Sequence, residues 1–244
     1  MSKQIRLDQL LLKKNLVNSL SEATFLINKR KVRVSNYNSK FLFEHTLVNA
    51  DCDIKIIKQK FVSRGGDKLN NLLVDLKIAV KEKKCLDVGA STGGFTHALL
   101  KNGAKKVYCI DVGRSQLDQS IKNDSKVEFF ENINARYDFD IGIKNFDIIV
   151  VDVSFISVTM IAGQLKNFLL KNSILIILIK PQFEASKDEV DRGGIIKDIY
   201  ILPKILDKVI KELQKIGLDL LDLKKSEIKG KKGNQEFFAI FKLS

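Results

Sequence analysis

Residues 85–96 read CLDVGASTGGFT, and this stretch decides the fold. Cys85, Leu86 and Val88 make a short apolar strand that also carries an acid, Asp87. Gly89, Gly93 and Gly94 lie in the loop that follows, and Phe95, Ala98, Leu99 and Leu100 begin a helical run at once. Strand, glycine loop and helix in succession is how α/β proteins present a ligand site at the carboxyl end of their first strand. Glycine suits such a loop because the backbone must turn sharply and approach the ligand closely.

The loop also narrows the choice of ligand. Gly89 to Thr96 nearly spells a phosphate loop, but Phe95 stands where the phosphate-binding lysine would be, and the spacing is not that of a dinucleotide fingerprint. The common occupant left is S-adenosylmethionine, which has no phosphate to neutralise. Asp87, Gly89, Ala90, Ser91, Thr92, Gly93, Gly94 and Phe95 are therefore the first expected cofactor residues. A second strand, VYCI over 107–110, ends at Asp111, about where an acid meets ribose hydroxyls in such sheets. Val112 offers an apolar edge beside an adenine, and Asn132 and Asp152 complete the expected cofactor set.

Working outward, strands are expected at 84–88, 106–111, 127–131, 146–153 and 173–180, with helices near 95–102, 115–123, 157–170 and 200–216. Near-continuous apolar strands such as DIIVVDV and ILIILI imply a parallel sheet covered on both faces. Leu218 to Ile228 and Glu236 to Leu243 leave no room for a helix between them, so they pair as a hairpin and the final strand runs antiparallel. The fold class is α/β, a doubly wound mixed sheet, with a small α+β domain in front.

That topology places four distant side chains on one rim. Asp152 ends the fourth strand and Lys180 the fifth; Glu236 begins the antiparallel strand, and Lys68 begins the helix that feeds the first strand. Two amines and two carboxylates around a methyl donor suit a poorly acidic hydroxyl such as a ribose 2′-OH. An amine acts as base only when partly neutral; a second amine and burial favour that state, while carboxylates oppose it and orient the amine. Lys180 is the expected base or alkoxide stabiliser, Asp152 orients it, and Lys68 and Glu236 complete the network. Where base-amino methyltransferases carry an [DNS]-P-P-[YFW] stretch, this chain has DVSF, and no cysteine lies on the rim as a carbon-attacking nucleophile would.

Composition bounds the partners. The chain has 244 residues and a net charge of +13, and residues 1–60 hold 12 Lys and Arg against 5 Asp and Glu. Such an excess points to a polyanion: nucleic acid or an anionic surface. The longest apolar run, Ile174 to Ile179, has six residues, far below the ~20 that span a bilayer. The start lacks an apolar leader region, and three scattered cysteines and two distant histidines suggest a cytoplasmic protein without a metal site. Gly65-Gly66 break the chain near a junction, so residues 1–60, a linker at 61–66 and a large domain at 67–244 are expected. After Lys180-Pro181, residues 182–198 are expected as a long charged loop able to close over RNA.

Two resemblances follow from these residues. Arg6-Leu7-Asp8, Leu10, Leu11, Ser19, Ala23, Ile27, Val32, Val34, Asp51 and Asp53 resemble the alpha-L RNA-binding motif, with Leu20 in place of the usual arginine and Arg30 in place of the usual turn glycine. RNA contact is then expected from Arg6, Lys29, Arg30, Lys31, Arg33, Lys40 and Arg64, through phosphates and counterion release. FVSRGGDKL, DVGASTGGFT, DVGRSQLD, ENINAR, VDVSFIS, IKPQFE, RGG-x-x-KD and KKGNQEFF, in this order, resemble the hemolysin A/TlyA family of FtsJ-like ribose methyltransferases. The resemblance implies a Rossmann-like class I methyltransferase that uses S-adenosylmethionine to methylate a 2′-OH, on cytidine, in ribosomal RNA or ribosomal subunits. It places the family's K-D-K-E tetrad on Lys68, Asp152, Lys180 and Glu236. Competing expectations are a membrane-acting haemolysin and a non-catalytic RNA-binding or ribosome-assembly factor.

Overall fold

A computed structural model of the chain describes residues 3–57 and 60–244. The chain divides into two compact units, Met1–Gln59 and Lys60–Ser244.

The first unit contains β1 (Gln4–Arg6), α1 (Leu7–Lys13), α2 (Leu20–Asn28), β2 (Val32–Val34), β3 (Leu47–Asn49) and β4 (Ile54–Ile56). Strand β1 pairs antiparallel with β3, and β2 with β4. Leu7, Leu10, Leu11, Ala23, Ile27, Val32 and Val34 form its core, at the spacings the sequence shows. Ser19 caps α2: its Oγ accepts from Glu22 N at 3.1 Å, while Asn18 N donates to Glu22 Oε2 at 2.8 Å. The helix closes on Arg30 at φ +55, with Lys31 N bonded to Leu26 O and Arg30 N to Ile27 O. That is the helix stop in which glycine is usual.

The second unit contains α3 (Arg64–Asp75), β5 (Lys84–Val88), α4 (Gly94–Lys101), β6 (Lys106–Asp111), α5 (Gln119–Lys122), β7 (Val127–Glu131), β8 (Phe146–Val151), α6 (Thr159–Lys166), β9 (Leu169–Ile179), α7 (Pro181–Glu184), α8 (Leu202–Lys215), β10 (Leu218–Lys225) and β11 (Phe237–Leu243). Its seven strands run in the order β10-β11-β9-β8-β5-β6-β7, with β11 antiparallel to both neighbours and the remaining neighbours parallel. Period-two alternation divides the core between the two faces. Leu86, Val88, Ile149, Val151, Leu175 and Ile177 pack on one side with α6 and α8, while Cys85, Ile148, Val150, Ile176 and Leu178 pack on the other with α3 and α4. The strand order reverses between β5 and β8, the place where open α/β sheets leave a crevice at their carboxyl ends.

Several boundaries differ from expectation. Residues 61–66 are no linker: Phe61 is buried, its ring edge-on to His97, and α3 starts at Arg64. The helix expected at 115–123 is one turn, because Ser115 sits at φ +51 and Asp111 Oδ1 bonds Gly113 N, holding the preceding residues as a loop. Helix α6 stops at Lys166, and β9 starts earlier than expected, at Leu169. Ser173 makes that possible: its Oγ accepts from Leu170 N and donates to Phe146 O, bridging the irregularity in the β8–β9 register. Residues 182–198 are not a plain loop: they hold all but the first residue of α7, a short 3-10 turn at Lys187–Glu189 and a Val190–Ile196 bridge.

Candidate active site

The crevice opens on a cavity of about 370 Å³ lined by Val88, Gly89 and Ser91 after β5, Asp111, Val112 and Gln116 after β6, Ile133 to Ala135 after β7, and Asp152 to Ile156 after β8. Gly89 has φ +84, and a Cβ there would lie 2.7 Å from Asp152 O, so this glycine lets the first and fourth strand ends approach. Asp111 Oδ2 accepts from Ser91 N at 2.7 Å and its Oδ1 from Gly113 N at 2.7 Å. A carboxylate has about four acceptor positions, so Asp111 keeps capacity for two ribose hydroxyls.

Asp87 is fully buried beneath the loop. Its Oδ2 accepts from Thr96 N at 2.9 Å and Thr96 Oγ1 at 2.6 Å, while Oδ1 has no hydrogen-bond partner among the described residues. Burial pushes its carboxyl up to about 7, partly opposed by the Thr96 hydrogen bonds and assisted by Asp152 and Asp111. Its visible work is to tie β5 to the first turn of α4.

The four rim residues form two ion pairs. Lys180 Nζ lies 2.6 Å from Asp152 Oδ1 and donates to Ser154 Oγ at 2.8 Å. Lys68 Nζ donates to Glu236 Oε2, with both side chains under 10% exposed. The start of α3 reaches the same crevice, since a Cβ on Gly65 would be 3.5 Å from Asp152 Oδ2 and one on Gly66 2.8 Å from Gly94 O. Glu236 is covered by Gly230, where a Cβ would lie 2.5 Å from Oε1. Asp152 lines the cavity as well as pairing with Lys180, and Ser154 does the same beside it.

Other expected cofactor residues serve the loop's support. Gly93 packs under Leu117 and Ile121, Gly94 under Ser63, and buried Phe95 lies 6.2 Å from the Phe238 ring. Ala90 is buried with them, and Thr92 O accepts from Asp118 N. Asn132 Oδ1 accepts from Arg114 Nε at 2.6 Å, while the next three residues line the wall. Sequence reasoning missed Gln116, Asn134 and Phe155. Phe155 had a signal in DVSF, but its 91% exposure, φ of +65 and contact with Phe183 at 5.1 Å are tertiary facts. Such a conformation in a bulky residue is costly and concentrates at functional sites.

Comparison with known proteins agrees with this geometry. A profile of the FtsJ-like methyltransferases matches residues 61–243. The chain belongs to the FtsJ-like methyltransferase family. Within it, the hemolysin A/TlyA branch is the match: Hemolysin A of Brachyspira hyodysenteriae is 44% identical over 203 residues, covering 81% of this chain and 83% of that protein. The 16S/23S rRNA (cytidine-2′-O)-methyltransferase TlyA of Mycobacterium tuberculosis is 34% identical over 242 residues, covering 98% and 90%. A solved structure of a candidate hemolysin from Streptococcus thermophilus superposes with a TM-score of 0.76 at 31% identity, covering all of this chain and 90% of that one. In this FtsJ-like chain, no described group of His, Cys, Asp and Glu is placed to hold a metal ion, and no described helix is long and apolar enough to cross a membrane.

The residues expected to meet RNA divide between the units. In the first, Arg6 forks onto Asp8 through Nε and Nη2, Lys29 and Lys31 lie 5.8 and 5.9 Å over the Phe25 ring, Arg33 donates to Ser39, and Arg30 and Lys40 are exposed. In the second, Arg64 Nη2 donates to Lys229 O at 2.6 Å.

Proposed function

We propose that this chain is an S-adenosylmethionine-dependent methyltransferase that modifies a ribose 2′-OH, on cytidine, in the ribosomal RNA of cytoplasmic ribosomal subunits. One observation carries the reading: Asp152 lines the cavity and is paired with Lys180, so a ligand pocket and a buried amine meet at one carboxylate. The residues fit the cofactor. Asp111 would hold its ribose hydroxyls, Val112, Ile133 and Ala135 would flank its adenine, and the Gly89–Ser91 backbone would face its amino acid end. Bound there, the cofactor supplies an electrophilic methyl group on a sulfonium.

The chain supplies the rest. Lys180 accepts the hydroxyl proton or stabilises the developing alkoxide, held by Asp152 and Ser154. Lys68 and Glu236 bound the other side and exclude water from it. Phe155 offers an exposed ring beside this network on which the target base can stack. The basic first unit, with Lys29, Arg30, Lys31, Arg33 and Lys40, holds the RNA by its phosphates. The names of the relatives from Mycobacterium tuberculosis and Campylobacter jejuni, both rRNA (cytidine-2′-O)-methyltransferases, support the choice of substrate.

Labelled methyl transfer to isolated ribosomal subunits, followed by mapping of ribose methylation, tests the reading. Lys180→Ala should abolish transfer while keeping cofactor binding; undiminished methylation by that variant would overturn it. Cofactor binding without turnover would mark an assembly factor, and leakage of liposomes by the purified protein would favour the haemolysin alternative.

A further inference from the structure

Outside the four rim residues, a further set of contacts joins the turn after β8 to the turn after β9. Glu184 ends α7 and is 8% exposed. Its Oε2 accepts from Ser157 Oγ at 2.5 Å and its Oε1 from Val158 N at 2.9 Å, at the entry to α6. Ser157 Oγ also lies 2.8 Å from Thr159 Oγ1. The two turns therefore meet at three levels: Asp152 and Ser154 with Lys180, Phe155 with Phe183, and Ser157 and Val158 with Glu184. A bulky residue at positive φ persists only where its surroundings over-determine it, and Phe155 is solvated on most of its surface. The hydrogen-bonded anchor lies two and three residues further on, at Glu184.

We propose that Glu184 is a positioning residue for the transfer step: by holding Ser157 and Val158 it fixes the turn that carries Asp152 and Ser154 against Lys180. The inference rests on the methyltransferase reading above. Glu184 is not among the residues lining the cavity, and its carboxylate bonds Ser157 and Val158, so its influence passes through the turn. A displacement of about 1 Å at reacting groups can cost ~10²-fold in rate.

The experiment compares Glu184→Ala, Glu184→Gln and Ser157→Ala in methyl transfer to ribosomal subunits and in direct titration with the cofactor. Glu184→Ala should lower kcat by about 10- to 100-fold while the cofactor dissociation constant moves far less. Glu184→Gln should restore kcat to within about threefold, because its amide oxygen still accepts from Val158 and its NH₂ donates to Ser157 Oγ. Ser157→Ala, which removes one bond and leaves the core intact, should fall between them. A readout independent of turnover is available because the chain has no tryptophan. In a Phe155→Trp background, adding Glu184→Ala should lower the steady-state anisotropy of that lone indole.

Full kcat in Glu184→Ala, a Gln variant as impaired as Ala, or unchanged anisotropy would each overturn the proposal. Should the wild-type chain transfer no methyl group to RNA, the functional reading fails, and the anisotropy still decides whether Glu184 anchors the turn.

Discussion

The Lys68–Glu236 pair makes a quantitative prediction. Both side chains are buried, 9% and 4% exposed, and they are 168 residues apart in sequence. Removing one partner leaves an uncompensated buried charge, which costs about 3–5 kcal/mol. Replacing both with apolar groups of similar volume is often neutral, because the desolvation of both ions is recovered. Glu236→Leu and Lys68→Met should therefore each lower unfolding stability by about 3–5 kcal/mol, and the double variant should be more stable than either. Denaturant unfolding gives these values, provided the slopes stay equal. Methyl transfer should be lost in all three, since stability returns in the double variant but the charges do not. The reasoning is refuted if each single change costs under ~1 kcal/mol, the level of an exposed pair, or if the double variant is as unstable as the worse single one.

Three other perturbations follow from particular residues. Arg30 occupies a left-handed helix stop at φ +55, so Arg30→Gly should stabilise the first unit by ~1 kcal/mol, read by thermal unfolding, while weakening RNA binding. Gly89→Ala meets both a φ of +84 and Asp152 O, and calorimetry should show cofactor binding weakened by at least ~10-fold in a folded protein. Asp87 has its carboxyl raised to about 7 in the fold against an ordinary value of 3.8, so the unfolded chain releases this proton first. Its contribution is largest below pH 4 and declines as pH rises to 7, by about 4 kcal/mol in all. Asp87→Asn should flatten the unfolding free energy across that window, and an unchanged pH slope would contradict the assignment.

Much of the fold was legible because the parallel strands are apolar on both faces. DIIVV and ILIILI cannot be solvated on either side, so a covered sheet was the reading available. The rim residues were legible for a related reason: strand direction alone fixes which end Asp152, Lys180 and Glu236 occupy. The sequence did not show which loop residues face the cavity. Gly93, Gly94 and Phe95 belong to the same motif as Gly89, yet they pack against Leu117, Ser63 and Phe238, partners 24, 31 and 143 residues away. Glu184 was equally hidden, since nothing local in IKPQFE reveals that its carboxylate caps the turn after another strand. The early start of β9 rests on a single serine hydroxyl bridging two strands.

The position of β11 has a consequence for how the enzyme is made. Residues 237–243 lie between β9 and β10, in the interior of the sheet rather than at its margin. A growing chain must hold the slot beside β9 open until β11 has been made, with hydrophobic strand edges exposed meanwhile. A premature stop anywhere before residue 237 would remove this interior strand, together with the carboxylate just ahead of it. Copies shortened before that point lack both the strand and Glu236, so they should misfold rather than persist as weak enzymes.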